Sequence, residues 1–434
     1  MSRLSGAAFV PRISAARAEW MQGIWVVADQ AVVSLASFLA LVVVGRTCSQ
    51  ADLGVYGLAV YTLWLAVGIP NALVWVPYTA RAARLSQGRR RFFAGSATIH
   101  VAVVAFVLAG SCLAAAAVAY FTSSASPWIA PMCLALAPFS LMMIAREHAR
   151  RLNLADLRVQ DLLRIDVPNA VLQMLLLLAL ARFGMLTATT ALLAVALACA
   201  NTFSWFYRNL DRFEFHTGRA LLHWGYNRKF GLWLLVVAVA WLVGESSGRW
   251  MVGLLYGRDM LGQFVAAQGI VMAINPLLLT INNLAQSMSS HGYARGGAAE
   301  LRRMAVRGTL YIALGTGAAL ICLAMIGGPA VHFFFGDKYI GLGHVVTSLC
   351  LGMFARMLVM PIEAAMVALQ YGRTMLVAAI LRLLLIVGCG VPLIWWIGLE
   401  GVGYAMAISA VGAGVVQWYT FLQLKQQPAL SGAV

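Results

Sequence analysis

Charge is what this chain has least of. Asp, Glu, Lys and Arg make up 11% of its 434 residues, where soluble domains carry about 25%. Acidic residues are scarcest, 15 in all. The longest polar interval is roughly 207–229. Seven cysteines stand at 48, 112, 133, 199, 322, 350 and 389, with no Cys-x-x-Cys among them. That leaves no zinc or disulfide framework to expect, and they read as small buried apolar residues. No His-x-x-x-His pair is present either, so no metal site is expected. His100 and His332 read as interfacial or packed, and His148 as part of a basic loop. There is no Gly-Lys dipeptide, which removes the Walker A loop and ATP hydrolysis of that kind. The first twenty residues hold Arg3, Arg12, Arg17 and Glu19 and lack a compact apolar core, so no cleavable signal peptide is expected.

What is abundant is hydrophobic surface, at 62% of residues. Apolar runs of 18 or more recur, and each is long enough to cross a bilayer as a helix. About twelve spans are predicted, near 24–44, 53–76, 97–120, 128–145, 165–183, 186–206, 230–255, 261–287, 308–327, 340–361, 375–397 and 401–423. The fold class is an all-α polytopic membrane protein.

A net charge of +16 invites a nucleic-acid reading, but its distribution opposes one. Of the 31 Lys and Arg, 24 fall in the N-terminus, the loops 77–96, 146–164, 207–229 and 288–307, and at Arg373 and Lys425. The alternate connections hold only Arg46, Arg182, Arg249, Arg258 and Lys338. Arg356 and Arg382 lie within spans. This is the positive-inside pattern, with both termini cytoplasmic. The basic loops are expected against anionic lipid headgroups. Arg outnumbers Lys 28 to 3, and Ala and Gly are abundant, a bias of GC-rich bacterial genomes. The expected location is therefore a bacterial inner membrane, with no nucleic-acid partner.

The 207–229 interval divides the spans six and six. Domains 1–215 and 216–434 are expected, and they echo one another. "QADLGVYGLAVYTL" (50–63) opens the second span and "RDMLGQFVAAQGIV" (258–271) the eighth. Leu53-Gly54 matches Leu261-Gly262, and Tyr56 matches Phe264. Each span then carries a proline beside an asparagine, Pro70-Asn71 and Asn275-Pro276. Glu147 and Arg164 echo Glu363 and Arg382. "SWFYRN" (204–209) echoes "QWYTFL" (417–422). Because six is even, the repeats run parallel, a build in which substrate sites lie at the repeat interface.

"RTCSQADLGVYGLAVYTL" after the first span, "RWMVGLLYGRDMLGQFVAAQ" joining the seventh and eighth, and "GLEGVGYAMAISAVGAGVVQWY" at the last resemble polysaccharide flippases. These belong to the multidrug/oligosaccharidyl-lipid/polysaccharide superfamily. The resemblance implies two six-helix lobes forming a V and working by alternating access. It implies as cargo an undecaprenyl-pyrophosphate-linked oligosaccharide, moved from the inner to the outer leaflet. A polysaccharide polymerase or export machinery would be a partner, and no enzymatic activity is implied.

Several residues could carry that work. Gln268, Asn275, Asn282 and Gln286 share one face of the eighth span, either bonding within a lobe or lining a watery cleft. Tyr61, Trp64, Asn71, Trp75 and Tyr78 share a face of the second span, as core or as flat surfaces for sugar rings. Intramembrane charge marks function by default. Arg249, Arg356 and Arg382 are candidates to bind pyrophosphate, for which the planar guanidinium is suited. The alternative joins Arg382 to Glu363, and Arg164 to Glu147 or Asp166, in internal pairs. Asp29 is either interfacial or a proton or sodium site. An acid in the first helix serves the superfamily's drug-exporting branch, which the resemblance carries to Asp29. Glu245 and Glu363 are the other candidates for ion coupling, and no cofactor besides H+ or Na+ is expected.

The stretch "LVGESSGRWMVG" (242–253) fits two motifs. Gly-x-Ser-x-Gly at 244–248 would need a strand-to-helix turn that a membrane helix does not offer. Gly-x-x-x-Gly fits close helix packing. Glu245 and Arg249, spaced i,i+4, either neutralise each other or form a switch in which Arg249 exchanges Glu245 for cargo phosphate. Three other functions compete with the flippase. A cation-coupled multidrug exporter would prefer acidic cavity residues. A membrane oligosaccharide ligase or polymerase would need a larger outer loop than 328–339. A non-transporting scaffold subunit is the fourth reading.

Overall fold

The computed structural model describes the backbone of residues 10–82, 85–122, 127–369 and 371–423. Within these, the side chains of 10–22, 229, 230, 241, 368 and most of 275–298 lie outside the description. The described residues are almost wholly helical. In chain order they form α1 (Val10–Thr47), α2 (Gln50–Pro70), a π-turn (Asn71–Trp75), α3 (Val76–Ala82), α4 (Gln87–Phe121), α5 (Ile129–Ala155) and α6 (Val159–Arg182). There follow α7 (Ala188–Cys199), α8 (Thr202–Arg208), α9 (Thr217–Met272), α10 (Asn275–Phe335), α11 (Gly343–Ala368), α12 (Gly372–Ile397) and α13 (Glu400–Gln423). A helix satisfies its backbone internally, which a bilayer demands.

Two helices are far longer than the roughly 20 residues a bilayer needs. α9 has 56 residues and α10 has 61. Each is two helices joined at a glycine in the left-handed region, Gly257 (φ 81°) and Gly297 (φ 61°). A side chain at either point would strain the backbone. The predicted seventh and eighth spans meet at Gly257. Among the described residues, eleven helices are long and apolar enough to cross a membrane. The predicted 261–287 span runs into side chains outside the description. The chain is thus an all-α polytopic membrane protein.

The matched prolines mark matched interruptions. α2 passes at Pro70 into the π-turn Asn71–Trp75, and the helical run from Gly257 is interrupted just before Asn275-Pro276. Proline removes a backbone donor and crowds the preceding turn, and π-turns are a common accommodation.

The chain divides into two compact units. The first holds residues 1–40, 70–185 and 189–232, the second 41–69, 186–188 and 233–434. In the first, α4 lies along α5, and α5 against α6. Buried Trp75 at the end of the π-turn donates its indole N–H to Nδ1 of His148 on α5 at 3.1 Å. The opposite ring nitrogen lies 2.9 Å from the hydroxyl of Thr98 on α4. His148 is therefore a buried core residue, not part of a loop, because α5 continues ten residues beyond the predicted end of its span.

In the second unit α10 packs on α11, and α13 on both α11 and α12. The matched openings of the second and eighth spans pack on each other here. A Cβ on Gly54 would stand 2.8 Å from the Gly262 amide nitrogen, and one on Gly262 would strike the Gln50 carbonyl. Gly57 meets Val265 in the same register. Each contact joins positions 208 apart or their neighbours (Gly54 with Gly262, Gly57 with Val265), so the seam is reciprocal. Gly45 and Gly253 also each face the leucine eight residues on, Leu53 and Leu261. Nearby, Arg46 on α1 donates to the carbonyls of Phe333 and Phe334 at the end of α10. Lys338 donates to Cys48 O at 3.0 Å at the end of α1. Each helix C-terminus is thus capped by a cation from the other's segment.

Candidate functional site

The second unit gathers five charged side chains from three helices. The stretch 244–249 is uninterrupted helix within α9, and Ser247 donates to Gly244 O at 2.7 Å. No strand-to-helix turn is present, and the hydrolase reading falls. The glycines serve packing: a Cβ on Gly248 would stand 2.6 Å from Val402 of α13, and Gly244 approaches the Leu383 backbone of α12.

The expected pairing of Glu245 with Arg249 does not form. Glu245 Oε2 accepts from Arg382 Nη2 of α12 at 2.8 Å. Arg249 is drawn away by two better-placed partners. Past the Gly257 turn the chain doubles back, and Gln268 Oε1 accepts from Arg249 Nε at 2.7 Å. The Arg249 guanidinium lies 3.1 Å from the centre of the Tyr61 ring on α2, a cation–π contact. Its remaining contact to Glu245 is to the backbone carbonyl, at 3.4 Å. Arg249 is 2% exposed and makes no carboxylate ion pair among the described residues.

On α11, Arg356 Nη1 donates to Glu363 Oε2 at 2.9 Å, two turns along the same helix. The alternative pairing of Arg382 with Glu363 is therefore not the one formed. Arg356 and Arg249 both act on Glu245 electrostatically in addition to Arg382, so the residues form one cluster. It contains three arginines and two glutamates. Arg382 keeps two buried donors, Nε and Nη1, without a partner. A buried donor left unmade costs about 1–3 kcal/mol, so the cluster has capacity for further acceptors.

Of the other expected site residues, Trp64 is exposed on α2. Asn71 opens the π-turn in the first unit with its side-chain oxygen buried and unpartnered. The side chains of Asn275, Asn282 and Gln286 lie outside the described residues. The aromatic face of the second span divides: Tyr61 and Trp64 belong to the second unit, while Trp75 and Tyr78 are buried in the first, Tyr78 stacked on Phe93.

Asp29 is buried in the first unit, and its ion-pair partner, Arg150, comes from α5 beyond the predicted end of that span. Arg150 Nη2 donates to Asp29 Oδ2 at 2.8 Å, Nε to Asp166 Oδ2 at 2.7 Å, and Nη1 to Glu147 Oε1 at 2.9 Å. Arg146 donates to Asp166 Oδ1 through Nε at 2.8 Å and Nη2 at 2.6 Å. Arg164 takes no part and pairs with Asp161 at the surface. The signal for this network was the spacing in "REHARR" (146–151), which puts Glu147 one turn from Arg150 and Arg151. Density of charge suggested a loop, whereas mutual neutralisation lets the segment sink.

No family model matches the chain, and no curated protein matches it. Solved structures do resemble it. One is an inward-facing multidrug resistance MATE family transporter of the MOP superfamily, at TM-score 0.75 and 15% identity, covering 90% of this chain and 93% of that one. Another is the lipid II flippase MurJ in an inward closed conformation, at TM-score 0.74 and 10% identity, covering 91% and 87%. A third is a MOP superfamily transporter from Pyrococcus furiosus, described as having a binding pocket of reversed polarity that suggests a different function. It has TM-score 0.66 and 15% identity, covering 92% and 93%. Others include an outward-facing MATE transporter. At such identities the likeness establishes architecture alone: the chain has the fold of the MOP superfamily transporters.

Proposed function

We propose that this protein is an alternating-access flippase. Its cargo is an oligosaccharide linked to undecaprenyl pyrophosphate, a repeat unit of exopolysaccharide, O-antigen or capsule, moved from the inner to the outer leaflet of a bacterial cytoplasmic membrane. The observation that carries this reading is the cationic surplus of the second unit. Arg249 has no carboxylate ion pair among the described residues, and Arg382 has two unused donors. A pyrophosphate diester supplies anionic oxygens that match guanidinium donors. Fold likeness does not separate a flippase from a drug exporter, because neighbours of both kinds are equally similar. The charge of the second unit's cluster supports the flippase, since a cationic drug would meet surplus arginine there.

In this reading the repeats 1–215 and 216–434 are the moving bodies. Cargo phosphate takes Arg382 from Glu245. A buried carboxylate deprived of its arginine is costly to keep charged and unpaired. Glu245 then takes up a proton or sodium ion, which ties cargo entry to ion binding. Glu363 stands in the same relation to Arg356. Asp29 is the corresponding acid of the first unit, with one carboxylate oxygen unpartnered. Trp64 is exposed on α2, one turn from the Tyr61 that contacts Arg249, and available to a sugar ring. The polymerase or export machinery receives the product.

The test is to delete the gene and locate the lipid-linked intermediate by leaflet-selective labelling. Accumulation on the cytoplasmic side is expected. Normal flipping with unpolymerised product outside would sink the proposal in favour of a polymerase or ligase. Unimpaired flipping together with new sensitivity to cationic drugs would favour the exporter.

A further inference from the structure

Three of the arginine-rich connections, around 77–96, 146–164 and 207–229, converge in the first unit on a cavity of about 230 Å³. A single water occupies about 30 Å³ of liquid, so the space holds a group of several heavy atoms. Arg90, Arg91, Arg158 and Arg212 line it, with Asp156 and Asp211. None of these residues belongs to the ion network around Asp29 or to the cluster around Arg382.

The cavity is built around one neutralised centre and an unneutralised rim. Asp156 is bridged by Arg90 on one oxygen and Arg212 on the other. Arg90 also donates to Ala155 O at 3.0 Å, and Arg212 to Asn153 Oδ1 at 3.0 Å. Those contacts hold both guanidiniums rigidly, and Arg90 Nε remains buried without a partner. Arg91 and Arg158, by contrast, form no ion pair among the described residues. Four cations thus face two carboxylates, one of which is shared between two of the cations.

The helix that supplies Arg90 and Arg91 adds to this. α4 begins at Gln87, has no acid in its first turn, and Ser86 before it makes no side-chain cap. Arginines at a helix N-terminus oppose the positive end of the macrodipole, an unfavourable arrangement that an anion offsets. Two arginines fixed on Asp156, two exposed arginines without an ion pair among the described residues and an uncapped helix start all favour the same ligand chemistry.

We infer that this cavity is a binding site for a phosphate group, supplied by the headgroup of an anionic phospholipid or by free phosphate. Its arginines lie on the side that the positive-inside bias assigns to the cytoplasm, where anionic headgroups are dense. The site is separate from the cargo cluster, so it can fail while the proposed function stands, and the reverse.

Two arms test it on the purified full-length protein and on the double variant Arg91→Gln, Arg158→Gln, which removes no ion pair found among the described residues. In the first, native mass spectrometry follows retention of added phosphatidylglycerol against phosphatidylcholine. In the second, delipidated protein in detergent is unfolded thermally with inorganic phosphate against chloride at equal ionic strength. Preferential retention of phosphatidylglycerol, reduced about tenfold in the double variant, supports the site with lipid as the source. A phosphate-specific rise in unfolding temperature that the variant loses supports it with free phosphate as the source. Should the double variant not fold, Asp211→Asn serves instead, and tighter binding of either probe is expected. Equal retention of both lipids with no phosphate effect would overturn the inference, as would unchanged binding by a folded double variant or by Asp211→Asn.

Discussion

Each unit gathers five buried or half-buried charged side chains inside membrane-spanning helices, with opposite results. In the first, Asp29, Arg146, Glu147, Arg150 and Asp166 close on one another. Every nitrogen of Arg150 donates to a carboxylate, and Asp166 receives both arginines while fully buried. In the second, Glu245, Arg249, Arg356, Glu363 and Arg382 leave one arginine on a glutamine and an aromatic ring, and another with two idle donors. The lesson is that intramembrane charge alone does not mark a binding site. A network whose Arg150 nitrogens are all engaged ties α1, α5 and α6 together, whereas one with idle arginine donors retains the capacity to bind an anion.

Three substitutions bear on this contrast, beginning with the largest effect. Asp166→Asn strips two buried arginines of their shared carboxylate and is expected to destabilise by about 3–5 kcal/mol. Thermal unfolding in detergent checks this, and a loss under 1 kcal/mol would show that the network is no lock. Arg249→Gln loses a hydrogen bond and a cation–π contact, for about 1–2 kcal/mol of stability. Its export of lipid-linked sugar should fall at least about tenfold, the equivalent of 1.4 kcal/mol, at matched expression. A short polyprenyl pyrophosphate should raise the unfolding temperature of the wild type more than that of this variant. Equal shifts and equal export would remove Arg249 from the site. Asp29→Asn is the mildest, since Arg150 keeps Glu147 and Asp166 as partners, and about 1 kcal/mol is expected. If its export keeps the wild-type dependence on pH and sodium, the coupling role of Asp29 is gone.

Much of the architecture could be read from residue order. Apolar runs located the spans, and the matched Pro70-Asn71 and Asn275-Pro276 fall where the structure interrupts both helices. What escaped was partner choice. Glu245 and Arg249 satisfy an i,i+4 rule drawn from solvated helices. Inside a bundle, Arg382 and Gln268 from other helices compete for the same atoms and win, because burial rewards the partner with the best geometry. "REHARR" escaped for a related reason. Its burial depends on Asp29 and Asp166, more than a hundred residues upstream and fifteen or more downstream, and no local pattern reports them. His148 was misplaced along with it.

The reciprocal seam of Gly54 and Gly262 bears on ancestry. Matched positions of two repeats touch each other, so the contact is of the self-complementary kind found across a two-fold axis in homodimers. A single six-helix chain could have made it with its own twin before the two were joined in one gene. On that history the seam is older than the charge contrast, which arose only once the copies were free to diverge. Two separately expressed halves should still find one another along it, and a bulky residue at either glycine should prevent their reunion equally well.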